Sequence, residues 1–458
     1  MTDQTTVIEK TLLRLLEQKK YHSLRDILST MNPADIAYIF DSIDEHKLPI
    51  VFRLLPKELA AETFVEMDPE QQELLIRGFS DTELKEVLDE MFVDDAVDVV
   101  EEMPANVVRR ILAQVDPDMR KQINEILRYP EDSAGSIMTT EYVSLRPAMT
   151  VEEAILRIRR TGVDKETIYT CYVTKDRHLI GMVTVKDLLL CDDDETPIMD
   201  LMEENVISVS THDDQEQVAQ MFSKYNFLAL PVVDNEGRMV GIVTFDDAMD
   251  VMEDEATEDM EMMAAMLPSD KPYIREGVFE LTKRRIPWLL ILMLSSTFTG
   301  LIITHFENAL AACAALTAFI PMLMGTGGNS GSQASVAVIR SLSLDEVEFR
   351  DLPAVIWKEI RVSVLCGIGL AVCNFGKMLL VDRLLMQNSD ITTMVALVVS
   401  VTVVFVVMVA KTIGCVLPIL AKKIGLDPAV MASPLITTIV DALSLLIYFA
   451  VANRVIPM

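Results

Sequence analysis

Leu179-Ile180-Gly181-Met182-Val183-Thr184 returns 60 residues later as Met239-Val240-Gly241-Ile242-Val243-Thr244, and this pair organises the reading of the whole chain. Each copy follows a β-rich run and a turn: 169–174 with Lys175-Asp176, and 229–233 with Asp234-Asn235-Glu236-Gly237. Each leads into a helix that opens at Asp187 or at Asp246-Asp247, and helical stretches at 151–160 and 214–224 precede the two strand pairs. Because the order of elements repeats with the Gly-x-Val-Thr step, residues 133–256 are expected to form a duplicated α/β module.

Toward the N-terminus, residues 1–132 read as short amphipathic helices. Leu12, Leu13, Leu15 and Leu16 begin the apolar pattern, and Ile36, Ile39 and Phe40 continue it. Prolines mark the helix starts at Pro33, Pro56, Pro69, Pro104 and Pro117. Pro56 to Pro69 and Pro104 to Pro117 both span 13 residues, and the two pairs lie 48 apart, a weak period that suggests a helical superhelix. Within it, Asp94-Asp95-Ala96-Val97-Asp98 and Glu101-Glu102 sit at helical spacing, so several carboxylates share one face. A solvated helix face is the plainer reading of that segment.

Toward the C-terminus, residues 251–276 combine Glu253, Asp254, Glu255, Glu258, Asp259 and Glu261 with Met260, Met262, Met263 and Met266. A helix here, taken as 257–282, would connect the soluble modules to the apolar half of the chain. Five apolar stretches then appear at about 287–306, 308–327, 360–382, 391–412 and 428–453, each near the roughly 20 residues that cross a bilayer. Lys283-Arg284-Arg285, the group Arg340, Arg350, Lys358 and Arg361, and Lys422-Lys423 all fall on one side. By the positive-inside rule the N-terminus is cytoplasmic and the C-terminus outside. The expected fold is therefore multidomain: helical N-terminal domain (1–132), α/β pair (133–256), connecting helix (257–282) and an all-α five-span domain (283–458).

Polar residues inside the apolar half carry the functional argument. Pro321-Met322-Leu323-Met324-Gly325-Thr326-Gly327-Gly328-Asn329-Ser330-Gly331-Ser332-Gln333 closes the second span in this reading. Its glycines let backbone leave the helix or let helices approach closely. Asn329 and Gln333, one turn apart, offer amide oxygens. In the fifth span, Asp441 is the one acid deep within an apolar stretch, and Ser433, Pro434, Thr437, Thr438 and Ser444 lie within two or three turns of it. A carboxylate at that depth costs a few kcal/mol and marks an ion path or a buried pair. Lys411 of span four is the competing partner, although a lysine there is expected to snorkel toward the inner surface instead. Pro434 removes a helical N–H and would free the carbonyl of Val430.

Charge divides the chain as sharply as hydropathy. Residues 1–280 hold 60 of the 70 acids and 27 of the 40 bases, a net charge of −33, whereas residues 281–458 are at +3. So acidic a half argues against nucleic acid, whose phosphates need basic partners, and for cations. The six cysteines, Cys171, Cys191, Cys313, Cys366, Cys373 and Cys415, include no C-x-x-C pair and read as reduced thiols. Met1–Lys10 is polar and no signal peptide is expected. The five histidines fall outside the middle of any span, and no H-E-x-x-H, G-x-S-x-G or Walker motif occurs, which weighs against an enzyme.

The duplicated module resembles a tandem pair of cystathionine-β-synthase (CBS) domains. In some such pairs a Thr and an Asp after the glycine hold an adenine nucleotide such as ATP. The matching residues are Thr184, Asp187, Thr244 and Asp247, for which capping of the next helix is the alternative. With the acidic helical domain and the apolar half, the whole chain resembles the MgtE magnesium-transporter family. The most specific pieces are Gly327-Gly328-Asn329-Ser330-Gly331-Ser332-Gln333 and Asp427-Pro428-Ala429 with Ser433-Pro434, Thr438 and Asp441. The resemblance implies a homodimer in a cell membrane and a Mg²⁺ pore in which Asp441 of both subunits is the selectivity carboxylate. It implies a cytoplasmic Mg²⁺ sensor at Asp94, Asp98, Asp234, Glu236 and Asp246, with Glu258 and Asp259 of the connecting "plug" helix nearby. Ser433 stands where some members carry Asn, and the plug aligns loosely after Met266.

Overall fold

The computed structural model describes residues 3–269, 273–274, 276–307, 314–344, 346–387, 390–431 and 433–455. The second span expected at 308–327 begins outside these residues, and Cys313 lies outside them too; the other five cysteines are free thiols. Contacts divide the chain into two compact units, Met1–Met252 and Glu253–Met458.

In the first unit α1–α10 run Asp3–Glu17, Tyr21–Leu28, Pro33–Phe40, Leu48–Phe52, Lys57–Val65, Pro69–Gly78, Asp81–Leu88, Val93–Glu102, Ala105–Gln114 and Pro117–Ile126. The prolines work as start signals: Pro33, Pro69 and Pro117 open their helices, and Pro56 and Pro104 sit just before theirs. Proline costs nothing there because those N–H groups have no helical acceptor. Ser80 and Glu83 cap α7 reciprocally. Helices of this length need tertiary partners to persist; α1 packs on α2, and from α3 onward each finds one two places along the chain. Thus α3 packs on α5, α5 on α7 and α7 on α9, while α4 packs on α6, α6 on α8 and α8 on α10. Phe52, Phe64 and Phe79 meet at the centre with centroids 5.4–6.5 Å apart.

The duplication is visible as two three-stranded sheets. β1 (Val143–Leu145) runs parallel to β2 (Thr170–Lys175), which is antiparallel to β3 (His178–Thr184). β4 (Val209–Ser210), β5 (Ala229–Val233) and β6 (Met239–Thr244) repeat that order. The helices are α11 (Val151–Thr161), α12 (Val185–Leu190), α13 (Ile198–Leu201) and α14 (Gln215–Tyr225). The two hexapeptides clamp the modules together. Ile242 of β6 exchanges both backbone hydrogen bonds, 2.8 and 2.9 Å, with Thr139, which precedes β1; Met182 of β3 does the same with Glu203, which precedes β4. Each crossing passes over a repeated glycine. A Cβ at Gly241 would stand 2.6 Å from the Thr139 carbonyl oxygen, and one at Gly181 would stand 2.6 Å from the Met202 sulfur.

After β6 the helix does not stop as a short cap. α15 is continuous over Phe245–Met263, earlier in the chain than the connecting helix expected at 257–282. It ends because Ala265 adopts a left-handed φ of 56°, with the Met266 N–H returning to the Glu261 carbonyl, and Pro268 cannot extend it.

In the second unit α16 (Val278–His305), α17 (Ile320–Ser343), α18 (Leu352–Lys377), α19 (Thr393–Lys423) and α20 (Ser433–Val455) complete the chain. Among the described residues four segments are long and apolar enough to cross a membrane: Val278–His305, Phe349–Leu385, Thr393–Lys423 and Pro428–Val455. One of the five expected spans is not among them: the stretch 308–327 lies partly outside the described residues, and α17, which shares its C-terminal part, is rich in Gly, Ser, Asn and Gln. Two local details also differ. The glycine run lies inside α17, not at a span's unwound end, and Pro434 sits in the first turn of α20 after a separate 3₁₀ turn, Pro428–Met431. Proline therefore opens the last helix; it does not interrupt it.

Candidate functional site

Two groups of carboxylates stand out, one in each unit. In the first unit, α8 turns Val93, Ala96, Val97 and Val100 inward, which leaves Asp94, Asp95 and Asp98 on the other side. The Val93 N–H donates to the Glu141 carboxylate at 3.1 Å, bringing in a residue from the start of the first CBS module. Glu166, from the loop before β2, and Asp247, from the first turn of α15, complete the group. Thr244 holds Asp247 in place, its hydroxyl donating to Oδ2 at 2.6 Å.

Desolvation by the surrounding elements pushes every member upward, Asp98 included although its side chain is exposed, and mutual repulsion adds to it. Asp95 rises to about 7, Asp98 to about 7, Glu166 to about 8 and Asp247 to about 6. Asp94 is raised well above the ordinary range and one of its oxygens has no hydrogen-bond partner. Asp247 is the common neighbour, repelling Asp94, Asp95, Asp98 and Glu166 alike. A crowded set of carboxylates, each raised by burial and by its neighbours, is short of positive charge. Among the described residues no three His, Cys, Asp or Glu side chains are placed to hold a metal ion.

The other expected sensor residues lie apart from this group. Asp234 and Glu236 form the β5–β6 turn. Slight burial raises Asp234, but the amides of Arg238 and Glu236 outweigh it and hold the carboxyl below its ordinary value, while Glu236 pairs with Arg238. Asp246 is exposed next to Asp247 and repels Asp95 and Glu166. Thr184 and Asp187 cap α12 reciprocally, whereas at α15 the Thr244 N–H and hydroxyl both donate to the Asp247 carboxylate.

In the second unit, Asp259 of α15 accepts a hydrogen bond from the Ser343 hydroxyl at 3.1 Å, at the end of α17. Burial and the neighbouring Asp427 raise its carboxyl, and Arg340 offsets part of that rise. Glu258 precedes it, half-buried.

The helices around Asp441 pack closely through glycine. A Cβ at Gly414 of α19 would lie 2.2 Å from the Gly331 carbonyl oxygen of α17, and one at Gly328 would lie 2.8 Å from Thr437 of α20. This contact fixes the faces on either side of it. Asn329 and Gln333 lie on an exposed stripe of α17 with Gly325 and Val336. Pro434, Thr437, Thr438 and Asp441 are half-buried, and both threonine hydroxyls donate to the Pro434 carbonyl at 2.9 and 3.0 Å. Ser433 opens α20. Asp441 makes no hydrogen bond or ion pair among the described residues. Lys411 does not reach it: the residue is 7% exposed and its ammonium faces Glu359 of α18 at 3.8 Å. Lys411 is therefore buried against a different carboxylate and does not snorkel to a surface.

Reasoning from sequence quoted Asp95 and Asp427 without giving either a place in the sensor, and missed Glu141 and Glu166. Asp95 was signalled by lying between two named acids, whereas the others come from loops whose positions only the fold supplies.

Known proteins match along the whole length. Residues 31–132 match the family described as "MgtE intracellular N domain", 134–192 and 198–254 match "CBS domain", and 320–451 match "Divalent cation transporter". The magnesium transporter MgtE of Thermus thermophilus is 37% identical over 97% of both chains. The chain belongs to the MgtE family. The MgtE of Bacillus subtilis is 32% identical over 99% of both chains. Two solved structures resemble the soluble part. The cytosolic domain of the Mg²⁺ channel MgtE in complex with ATP is 37% identical, with a TM-score of 0.51, covering 53% of this chain and 99% of that one. The soluble part of a magnesium transporter is 32% identical, also at 0.51, covering 55% and 99%. The MgtE family consists of transporters, not enzymes.

Proposed function

We propose that the chain conducts Mg²⁺ across a cell membrane as a homodimer, with Asp441 of each copy facing the ion. The observation that carries this reading is a carboxylate in an apolar helix with no cationic partner among the described residues, while the nearby lysine is committed to Glu359. Two such carboxylates related by a two-fold axis attract a dication more strongly than a monovalent ion. Mg²⁺ sheds water reluctantly, so few direct ligands are needed. The exposed Asn329–Gln333 stripe supports a second copy, because amides facing lipid would lose their hydrogen bonds. At 24 residues α17 reaches about 36 Å, enough to serve as the fifth span beside those four apolar segments. An odd number of spans, with Lys and Arg concentrated on one side, puts the N-terminus in the cytoplasm and the C-terminus outside.

The acidic face of α8 and the Asp259–Asp427 pair are then the cytoplasmic sensor. With little Mg²⁺ the carboxylates repel one another. With more, hydrated ions bridge them and favour the state with a closed pore. Asp234, Glu236, Asp246 and Glu258 belong to the wider acidic surface that draws the ion in. An adenine nucleotide such as ATP is assigned to the CBS pair beside Thr184, Asp187, Thr244 and Asp247; support comes from the relative crystallised with ATP.

Purified protein in liposomes loaded with a Mg²⁺-sensitive dye tests the permeation claim. Wild type should pass Mg²⁺ and Asp441→Asn should lose at least about tenfold, the cost of removing a central charge of about 1.4 kcal/mol or more. Equal flux through both would overturn the role of Asp441, and no flux through wild type would overturn the transport reading.

A further inference from the structure

A sensor helix can act on a membrane helix only if the joint between them is stiff. α15 ends at Met263 in a left-handed turn and α16 begins at Val278. A free connection of that length would absorb any displacement of α15. One side chain spans it. Arg284, in the second turn of α16, pairs through Nη2 with Glu261 in the last turn of α15, and through Nη1 with Glu276 just before α16. Its Nε donates to the Leu267 carbonyl at 2.6 Å, and the Leu267 N–H returns to the Arg284 carbonyl at 3.4 Å. Glu261 is further held by the Ser269 N–H at 3.0 Å. The group is sheltered from water: side-chain exposure is 13% for Arg284, 3% for Glu276 and 21% for Glu261.

This geometry is not that of a surface ion pair. A planar guanidinium that uses all three nitrogens on fixed acceptors holds direction as well as distance. Removing it would leave two sheltered carboxylates facing each other, so the joint opens instead of merely weakening. The neighbouring Lys283 and Arg285 are both exposed, so charge near the membrane is available without them taking part.

We infer that Arg284 is a positioning residue for gating: it clamps the end of α15 to α16, so that ion-driven movement of α15 reaches the pore. This rests on the proposed gating by cytoplasmic Mg²⁺. The test uses the full chain and reads two quantities against Mg²⁺ added on the soluble-domain side: channel current in excised patches, and protection of residues 1–252 from trypsin. Wild type should show both block and protection. Arg284→Gln should keep the protection curve while the Mg²⁺ needed for half-block rises at least tenfold. Arg284→Lys, with one charge and no fork, should fall between the two. Arg285→Gln should match wild type. Should Arg284→Gln fail to reach the membrane, Glu276→Gln removes one arm with the helix intact and should shift half-block in the same direction. Half-block within twofold of wild type in the variants that do fold overturns the clamp. An equal shift in Arg285→Gln overturns it as well, because charge alone would then suffice. Wild-type current that ignores Mg²⁺ defeats the gating reading first, and the clamp falls with it; protection that persists in that case separates the two failures.

Discussion

At Gly414 the backbone of α19 comes so near the backbone of α17 that a single added carbon would sit 2.2 Å from the Gly331 carbonyl oxygen. A carbonyl cannot swing aside as a side chain does, so a larger residue must push the helices apart. Gly414→Val is expected to cost about 1–3 kcal/mol through overpacking and to lower the melting temperature in detergent by several degrees. Gly369→Ala, where nothing lies within 4 Å, should leave it unchanged; equal melting of both variants would show that the close approach does not matter. The same contact explains what could be read at this scale and what could not. Asp441 drew notice because a lone carboxylate in an apolar run has few explanations, and the structure leaves it without an ion pair among the described residues. The Gly325–Gly331 run was ambiguous, because backbone that leaves a helix and helices in tight contact both demand glycine. In α17 the contact reading holds, and the helix runs straight through. Lys411 was misplaced because its true partner, Glu359, lies just outside the stretch counted as apolar.

The acidic face of α8 invites a pH experiment, and its sign comes from the raised carboxyls. Unfolded, these groups would release protons near pH 4; folded, Asp95, Asp98, Glu166 and Asp247 release them at about 7, 7, 8 and 6. Between those limits the folded element holds more protons than the unfolded chain, so its Mg²⁺-free stability falls as pH rises from about 4 to about 8. Asp94, Glu141, Asp246 and Asp250 add to the repulsion, and Lys165 relieves it only at Glu141. Mg²⁺ must displace those protons to bind, so its grip strengthens over the same range. The Mg²⁺ needed to half-protect residues 93–102 from proteolysis should therefore be about fivefold lower at pH 8 than at pH 6. A concentration independent of pH would rule out ion binding at this face. The helix itself was legible from the helical spacing of Asp94, Asp98 and Glu101-Glu102. The cluster was not, because Glu141, Glu166 and Asp247 reach it from three other places in the chain. α15 was read too far along for a similar reason: its methionine-rich stretch continues past Met263 to Met266, but a left-handed Ala265, invisible in composition, stops the helix.

Across the whole molecule the fold was legible wherever a period or a contrast exists. The 60-residue echo of Gly181 at Gly241 pointed to the paired sheets, and the change from −33 before residue 281 to +3 after it separated the soluble part from the apolar part. That imbalance allows two explanations of any effect of Mg²⁺ on the soluble part. Simple screening would act through ionic strength, since a Debye length of about 10 Å at 0.1 M weakens repulsion between distant carboxylates whatever the cation. Bridging would act through valence, since one hydrated dication can face two carboxylates at once, whereas Na⁺ loses to water at each. Trypsin cleavage of the full chain at matched ionic strength separates them. If the sensor works by bridging, millimolar Mg²⁺ should slow cleavage within residues 1–252 at least about fivefold more than the equivalent NaCl. Asp95→Asn with Asp98→Asn should remove that excess while leaving the response to NaCl. Equal protection by the two salts would mean that the acidity merely keeps the domain soluble, and the sensor assignment would then have no physical basis in this half of the chain.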